Sequence, residues 1–264
     1  MSLELIATPI GDLGDITLRA IECLRAADVV IGEERKEVSK LLKRLEIEGK
    51  RLELLNEHTR EDDLKDLVQL CRSSRVALVT DCGTPGFCDP GSRLVSLCRA
   101  EGVISKPIPG ASSLMCLLSV SGRYLSEFLF RGFLPAEKEA RAAALNELVR
   151  ERRPVILMDT PYRMGRLLEE LAERFPLRKV LLGCDFTQNT ELIIEATAAE
   201  LPKLIGERKA EFILALLPAE SAADAGITMG AKVREGSAPA PRESRPARPG
   251  AGGSGRKFTP GRRR

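Results

Sequence analysis

The chain has 264 residues, 43% apolar and 30% charged, the composition of a soluble globular protein with room for one large domain or two ordinary ones. No apolar run approaches the roughly 18 residues of a membrane span, no basic and apolar leader is visible at the start, and seven scattered cysteines with no CxxC and a single histidine argue against a zinc site or a disulfide framework and fit reduced thiols in the cytoplasm. The net charge of +3 is uneven: beyond residue 220 there are ten Lys and Arg against three acids, so the first 220 residues carry −4.

Taken in order, residues 3–8 read as a strand ending in a Gly/Pro loop over 8–15, which is not a GxGxxG fingerprint. Asp15 or Thr17 can cap the following helix, whose apolar face is Leu18, Ile21 and Leu24. A short strand at 28–32 leads into Glu33 and Glu34, and these open a helix with Val38, Leu41, Leu42 and Leu45 on one face. Acids in a first helical turn are favoured by the helix dipole, which accounts for both without a functional role. A strand at 51–55 runs into Asn56, Glu57 and His58, and a helix spans 62–72. The run at 76–80 is apolar and β-branched, as in a strand buried on both faces, and it breaks into a loop with Gly83, Pro85, Gly86 and Pro90. A helix at 91–101, a strand at 103–108, a third Gly/Pro loop at 109–113 and a helix at 114–120 complete the first half. The second half reads as strands at 127–133, 155–159, 179–185, 192–196 and 211–217, with helices at 138–152, at 160–174 (opened by Thr160, Pro161, Tyr162 and Arg163) and at 198–205. The alternation predicts an α/β fold of two α/β domains, a mainly parallel N-terminal sheet and a mixed C-terminal sheet. The expected boundaries are 1–113, 114–220 and a basic tail at 221–264, too poor in large apolar residues to offset its ordering entropy and therefore expected to be disordered.

Three first-half strands end in Gly/Pro loops, at 8–15, 81–91 and 109–113. A parallel sheet brings such ends to one edge, where open α/β sheets bind ligands. The resulting cleft offers backbone amides, the hydroxyls of Thr84, Ser112 and Ser113 and the carboxylates of Asp81 and Asp89, with no P-loop lysine. It suits a ligand with hydroxyl, amine and carboxylate groups better than a triphosphate. Cys82 or Cys88 as a nucleophile has no paired base unless it is His58, and small thiols without a chemical role are the simpler reading.

The runs ATPIGDLGDITLRA at 7–20, DCGTPG at 81–86, DPG at 89–91 and PIPGAS at 107–112 closely resemble the tetrapyrrole methylase superfamily. Within it they are most similar to the bacterial 16S ribosomal RNA (cytidine 2′-O) methyltransferase branch, with support from Glu57 and His58, FRGFLP at 130–135 and TPYR at 160–163. The resemblance covers residues 1–218. It implies S-adenosylmethionine bound in the cleft between the two domains, held by Pro9, Asp81, Gly83, Thr84, Pro85, Ser112 and Ser113 and closed by residues near Met158 and Cys184. It also implies a homodimer and an RNA substrate in the small ribosomal subunit, with no metal and no membrane. Departures from the branch fall at 33–36, 159–163 and 184–188, on the expected substrate side.

A sulfonium methyl is already activated, so catalysis of its transfer is mostly positioning, while a ribose hydroxyl profits from a hydrogen-bond acceptor or base. The candidates are His58, Glu57 and Glu33, each with a structural alternative; His58 is equally a loop histidine satisfied by backbone. The tail arginines suit either a flexible nucleic-acid arm or a solubilising extension. The alternative functions are methylation of a tetrapyrrole or another small molecule, and a cofactor-binding protein whose catalysis has decayed.

Overall fold

The computed structural model describes residues 1–218. The tail expected at 221–264 lies outside the described residues.

The first half is built on β1 (Ser2–Ile6), β2 (Val29–Gly32), β3 (Arg51–Leu54), β4 (Arg75–Leu78) and β5 (Ile104–Ile108). They form one sheet in the order β3-β2-β4-β1-β5, with every pair parallel. Parallel strands need crossovers, and helices supply them. The helices α1 (Leu18–Ala26) and α2 (Arg35–Arg44) cover one face, where Ala20, Leu24, Val38 and Leu42 meet Ile6, Val30 and Ala77. The other face is covered by α3 (Glu61–Ser73) and α4 (Gly91–Ala100), where Leu64, Leu67 and Leu94 meet Leu3, Val29 and Val76. Each such side chain removed from water contributes about 1.5–3 kcal/mol relative to exposure. The chain leaves β1 toward β2 and leaves β4 toward β5, in opposite directions across the sheet. Because β1 and β4 are neighbours, the crevice beyond their carboxyl ends is the topological switch point.

The second half contains α5 (Ser113–Ser119), β6 (Leu129–Phe133), α6 (Lys138–Leu148), β7 (Val155–Asp159), α7 (Met164–Arg174), β8 (Lys179–Cys184), β9 (Leu192–Thr197), α8 (Leu201–Ile205) and β10 (Phe212–Leu216). Its sheet runs β6-β7-β10-β8-β9, parallel only between β6 and β7. One face is buried under α6, α7 and α8. On the other, Ile156, Leu181, Ile213 and Ala215 pack against Leu117 of α5 and Phe186, with Ile10 from the first half beside them.

The expected α/β fold with a parallel and a mixed sheet is what forms. Element ends shift by up to four residues, and the strand at 155–159 not at all. The helix expected over 138–152 ends at Leu148, because Arg153 precedes Pro154 and is pushed out of the helical region. Glu151 then fixes the turn by accepting from the Arg153 amide at 2.9 Å. Thr17 is the cap of α1, its hydroxyl accepting from the Ala20 amide at 3.1 Å. Asp15 does not cap α1; it ends the preceding 3-10 turn, which Asp12 caps.

Candidate functional site

The three Gly/Pro loops converge as the strand ends require. Thr8 and Gly83 exchange amide-to-carbonyl bonds of 2.8 and 3.1 Å, an isolated antiparallel bridge laid across the ends of β1 and β4. The Ala7 amide donates to the Ile108 carbonyl at 3.2 Å, and the Thr84 hydroxyl to the Ala111 carbonyl at 3.2 Å, which ties in the third loop. The loop after β4 is held from within by Asp89, whose carboxylate accepts from the amides of Gly86 (2.7 Å), Phe87 (3.1 Å) and Gly91 (2.7 Å). Asp89 is therefore occupied by its own loop and does not face a ligand.

The second half closes on these loops most tightly at Gly11 and Asp12. The amide of Asp12 donates to the Thr187 hydroxyl at 2.9 Å. A Cβ on Gly11 would lie 2.5 Å from the Phe186 carbonyl oxygen and 2.7 Å from the Thr187 hydroxyl, so only glycine fits there. Thr187 itself sits at φ +64°, a left-handed conformation that a β-branched residue adopts only under constraint. The segment 184–188, one of the departures from the family pattern, is thus the strut between the halves.

Between the loops and the second sheet lies a cleft of about 160 Å³, lined by Gly83, Thr84, Ser112 and Ser113 from the first-half loops and by Leu114. Across it stand Phe130, Met158, Phe186, Glu211 and Phe212. The half-exposed ring of Phe87 meets Phe130 with centroids 4.7 Å apart, narrowing the cleft. Ser112 also caps α5, accepting from the Met115 amide. Cys82 and Cys88 line the same cleft. Burial, then the charges of Glu211, Asp81 and Glu33, push the Cys82 thiol up; burial, then Asp89, do the same for Cys88. Both are protonated thiols at neutral pH and poor nucleophiles.

A second cavity of about 200 Å³ opens on the α2 side of the same edge, lined by Thr8, Pro9, Thr80 and Asp81, with Lys40, Leu41 and Arg44 of α2. It shares Ile10 and Cys82 with the cleft. Burial, followed by the nearby Glu33, Glu34 and Glu37, raises the Asp81 carboxyl above its ordinary value. Glu33 accepts from the Thr80 hydroxyl at 2.5 Å, and the Thr80 carbonyl accepts from the Thr8 hydroxyl at 3.2 Å. Glu33 is thereby linked to this cavity through Thr80.

Of the expected donor-site residues, the structure brings Gly83, Thr84, Ser112, Ser113 and Met158 together in the cleft. It places Pro9 and Asp81 in the neighbouring cavity. Pro85 is buried and lines neither. The Cys184 side chain is fully buried under α6–α8, on the face of the second sheet turned away from the cleft. His58 is exposed on the β3–α3 loop, where its amide donates to the Asn56 side chain at 3.0 Å. Glu57 lines a third hollow with Asn56 and Arg93, which shares Cys88 with the cleft. Asp159 is buried and paired with Arg141 at 3.1 Å, a structural role for the 159–163 departure. Phe130 lies in the FRGFLP run and Phe186 in the 184–188 departure, but residue type alone gives neither of them, nor Phe87 or Glu211, a place in the cleft. Among the described residues no group of three or more His, Cys, Asp or Glu is placed to hold a metal ion. Nor is any helix there long and apolar enough to cross a membrane.

The tetrapyrrole (corrin/porphyrin) methylase family model matches residues 2–202. The chain is 34% identical over 235 residues to ribosomal RNA small subunit methyltransferase I of Neisseria meningitidis serogroup B, spanning 88% of this chain and 81% of that protein. It is 39% identical over 216 residues to the protein of that name from Leptospira biflexa, spanning 81% and 90%. For the one from Coprothermobacter proteolyticus the figures are 38% over 220 residues, spanning 83% and 98%. Among solved structures, diphthine synthase superposes with a TM-score of 0.67 at 17% identity over 83% of this chain and 90% of the other, a likeness of fold.

Proposed function

The chain belongs to the tetrapyrrole (corrin/porphyrin) methylase family and to its ribosomal RNA small subunit methyltransferase I branch, and from that premise we propose that it transfers a methyl group from S-adenosylmethionine to a ribose hydroxyl of small-subunit ribosomal RNA. The observation that carries the reading is the 34–39% identity spanning most of both chains to proteins of that name.

The cleft between the sheets fits such a donor in kind. Phe87, Phe130, Phe186 and Met158 offer flat and polarisable surface for a purine. The hydroxyls of Thr84, Ser112 and Ser113 and the Glu211 carboxylate suit the ribose and the amino-acid end. The half-exposed ring of Phe87, packed on Phe130, forms one edge of the cleft. Bound there, the donor supplies an activated methyl on a positively charged sulfur. What remains for the protein is to bring the acceptor oxygen into line and exclude water. Asp81, which lines the second cavity beside Cys82, and Glu33, which is tied to that cavity through Thr80, are proposed to take the hydroxyl proton in preference to His58 and Glu57, which line neither the cleft nor this cavity. Burial and the neighbouring acids raise the Asp81 carboxyl, which makes its carboxylate a better base than an ordinary aspartate.

This reading includes a homodimer, a cytoplasmic location and the division at 1–113, 114–220 and 221–264. Its test is transfer of labelled methyl from S-adenosylmethionine to undermethylated small ribosomal subunits, with a tetrapyrrole as competitor acceptor. Label in the RNA alone supports it. Label in the tetrapyrrole favours the small-molecule reading, and label in neither favours a donor-binding protein that no longer catalyses.

A further inference from the structure

Resting on that reading, we propose that the cavity between α2 and the loops after β1 and β4 receives the acceptor nucleotide, and that Lys36, Lys40 and Arg44 on α2 hold the phosphates of the RNA strand leading to it. Three observations converge. The first is position. The cavity and the donor cleft meet at Ile10 and Cys82, so ligands seated in each are in contact at one place along the sheet edge. A direct methyl transfer requires that juxtaposition.

The second is the chemistry of the walls. Val38 and Leu41 give apolar surface, on which a base removed from its stack can lie. Thr8, Thr80, Glu37 and Asp81 surround it with acceptors and hydroxyls, matched to exocyclic amino groups and ribose hydroxyls.

The third is the helix. The sequence of α2, RKEVSKLLKR, holds five cations and one acid, whereas the first 220 residues together are net −4. No other helix among the described residues exceeds a net of +2. Lys36, Lys40 and Arg44 follow one another at i, i+4 and i+8, a stripe about 12 Å long. Val38 and Leu42 are buried on the opposite side of the helix. All three cations are exposed. Lys40 has a solvent-exposed pair with Glu37 at 3.2 Å, and Arg44 has no partner among the described residues. Cations so placed are available to phosphates without breaking buried structure, and Lys40 and Arg44 also line the cavity, which joins track to pocket.

The test uses the full chain. The triple variant K36A/K40A/R44A is compared with wild type for binding of a small-subunit RNA fragment by fluorescence anisotropy across salt, and for binding of S-adenosylmethionine by calorimetry. RNA affinity is expected to fall at least about tenfold, and the slope of log affinity against log salt to flatten by about 2, with donor affinity within twofold. The control K65A/K203A, which removes cations from α3 and α8, is expected to bind RNA as wild type does. The variant Leu41→Trp, which fills the cavity, is expected to lose transfer at least about tenfold while keeping donor affinity. Unchanged RNA affinity and salt slope in the triple variant, loss of donor binding in it, or undiminished transfer by Leu41→Trp would each overturn the assignment. If wild type binds the RNA without methylating it, the functional reading falls, and the anisotropy comparison still decides the role of α2.

Discussion

Asp89 accepts three backbone amides within six residues of chain, and those bonds shape the loop that carries Gly83, Thr84 and Phe87 to the cleft. Replacing it by Ala leaves amides of Gly86, Phe87 and Gly91 without an acceptor, at a cost of about 1–3 kcal/mol. For Asp89→Ala we therefore expect a lower midpoint of thermal unfolding together with weaker donor binding, both measurable on one sample by calorimetry. Stability lost with donor affinity intact would show that the loop does not form the donor site. Glu211 makes a prediction of opposite sign. Burial, then Asp185, raise its carboxyl, so the folded state holds the proton to higher pH than the unfolded state does. Stability from this group is then present at low pH and lost as pH rises through the folded value. Glu211→Gln is expected to unfold at a higher temperature than wild type at pH 7, with the gap closing below about pH 4. A gap that stays constant with pH would rule out Glu211 as its origin. The loop residues were legible in the sequence because glycine and proline mark strand ends. Glu211 was not, since only its place across the cleft from the first-half loops gives it a role.

The same contrast holds for whole elements. Met158 and Cys184 lie at or next to the ends of second-half strands, and both were expected to close the donor site. Side chains alternate along a strand, so parity decides which face each takes. Met158 falls with Ile156 on the cleft side, whereas Cys184 falls with Val180 and Leu182 under the helices. Both strands are apolar on both faces, so no polar alternation in the sequence reveals the parity. For α2 the position is set by Gly32, the last residue of β2. A Cβ there would overlap a methyl of Val38, so α2 lies directly on the strand end. Gly32→Ala is expected to push α2 outward, at a cost of about 1–3 kcal/mol. The KM for RNA should rise several-fold with donor affinity unchanged. An unaltered KM in a variant with lowered stability would separate α2 from acceptor binding.

For the molecule as a whole, two α/β halves meet at a few loop residues, and that meeting creates the cleft. The fold of each half was readable from alternating strands and helices. The aromatic walls were not, because Phe87, Phe130 and Phe186 lie far apart in sequence and share a cleft only through the packing of the halves. Gly11 marks how tight that packing is, with the Phe186 carbonyl oxygen only 2.5 Å from where its Cβ would be. Gly11→Ala is expected to part the halves and lower donor affinity at least about tenfold, with melting of the isolated secondary structure little changed by circular dichroism. Wild-type donor affinity in that variant would mean that the strut does not set the cleft.

The most direct measurement follows the methyl group to its atom. Undermethylated small ribosomal subunits are incubated with the full chain and isotopically labelled S-adenosylmethionine, the RNA is digested, and the labelled nucleotide is identified by mass spectrometry. The expected result is one labelled nucleoside with the methyl on its ribose, at a phosphodiester that has become resistant to alkaline cleavage. Label on a base, label on a small molecule in place of RNA, or no label at all would contradict the ribose-methyltransferase function.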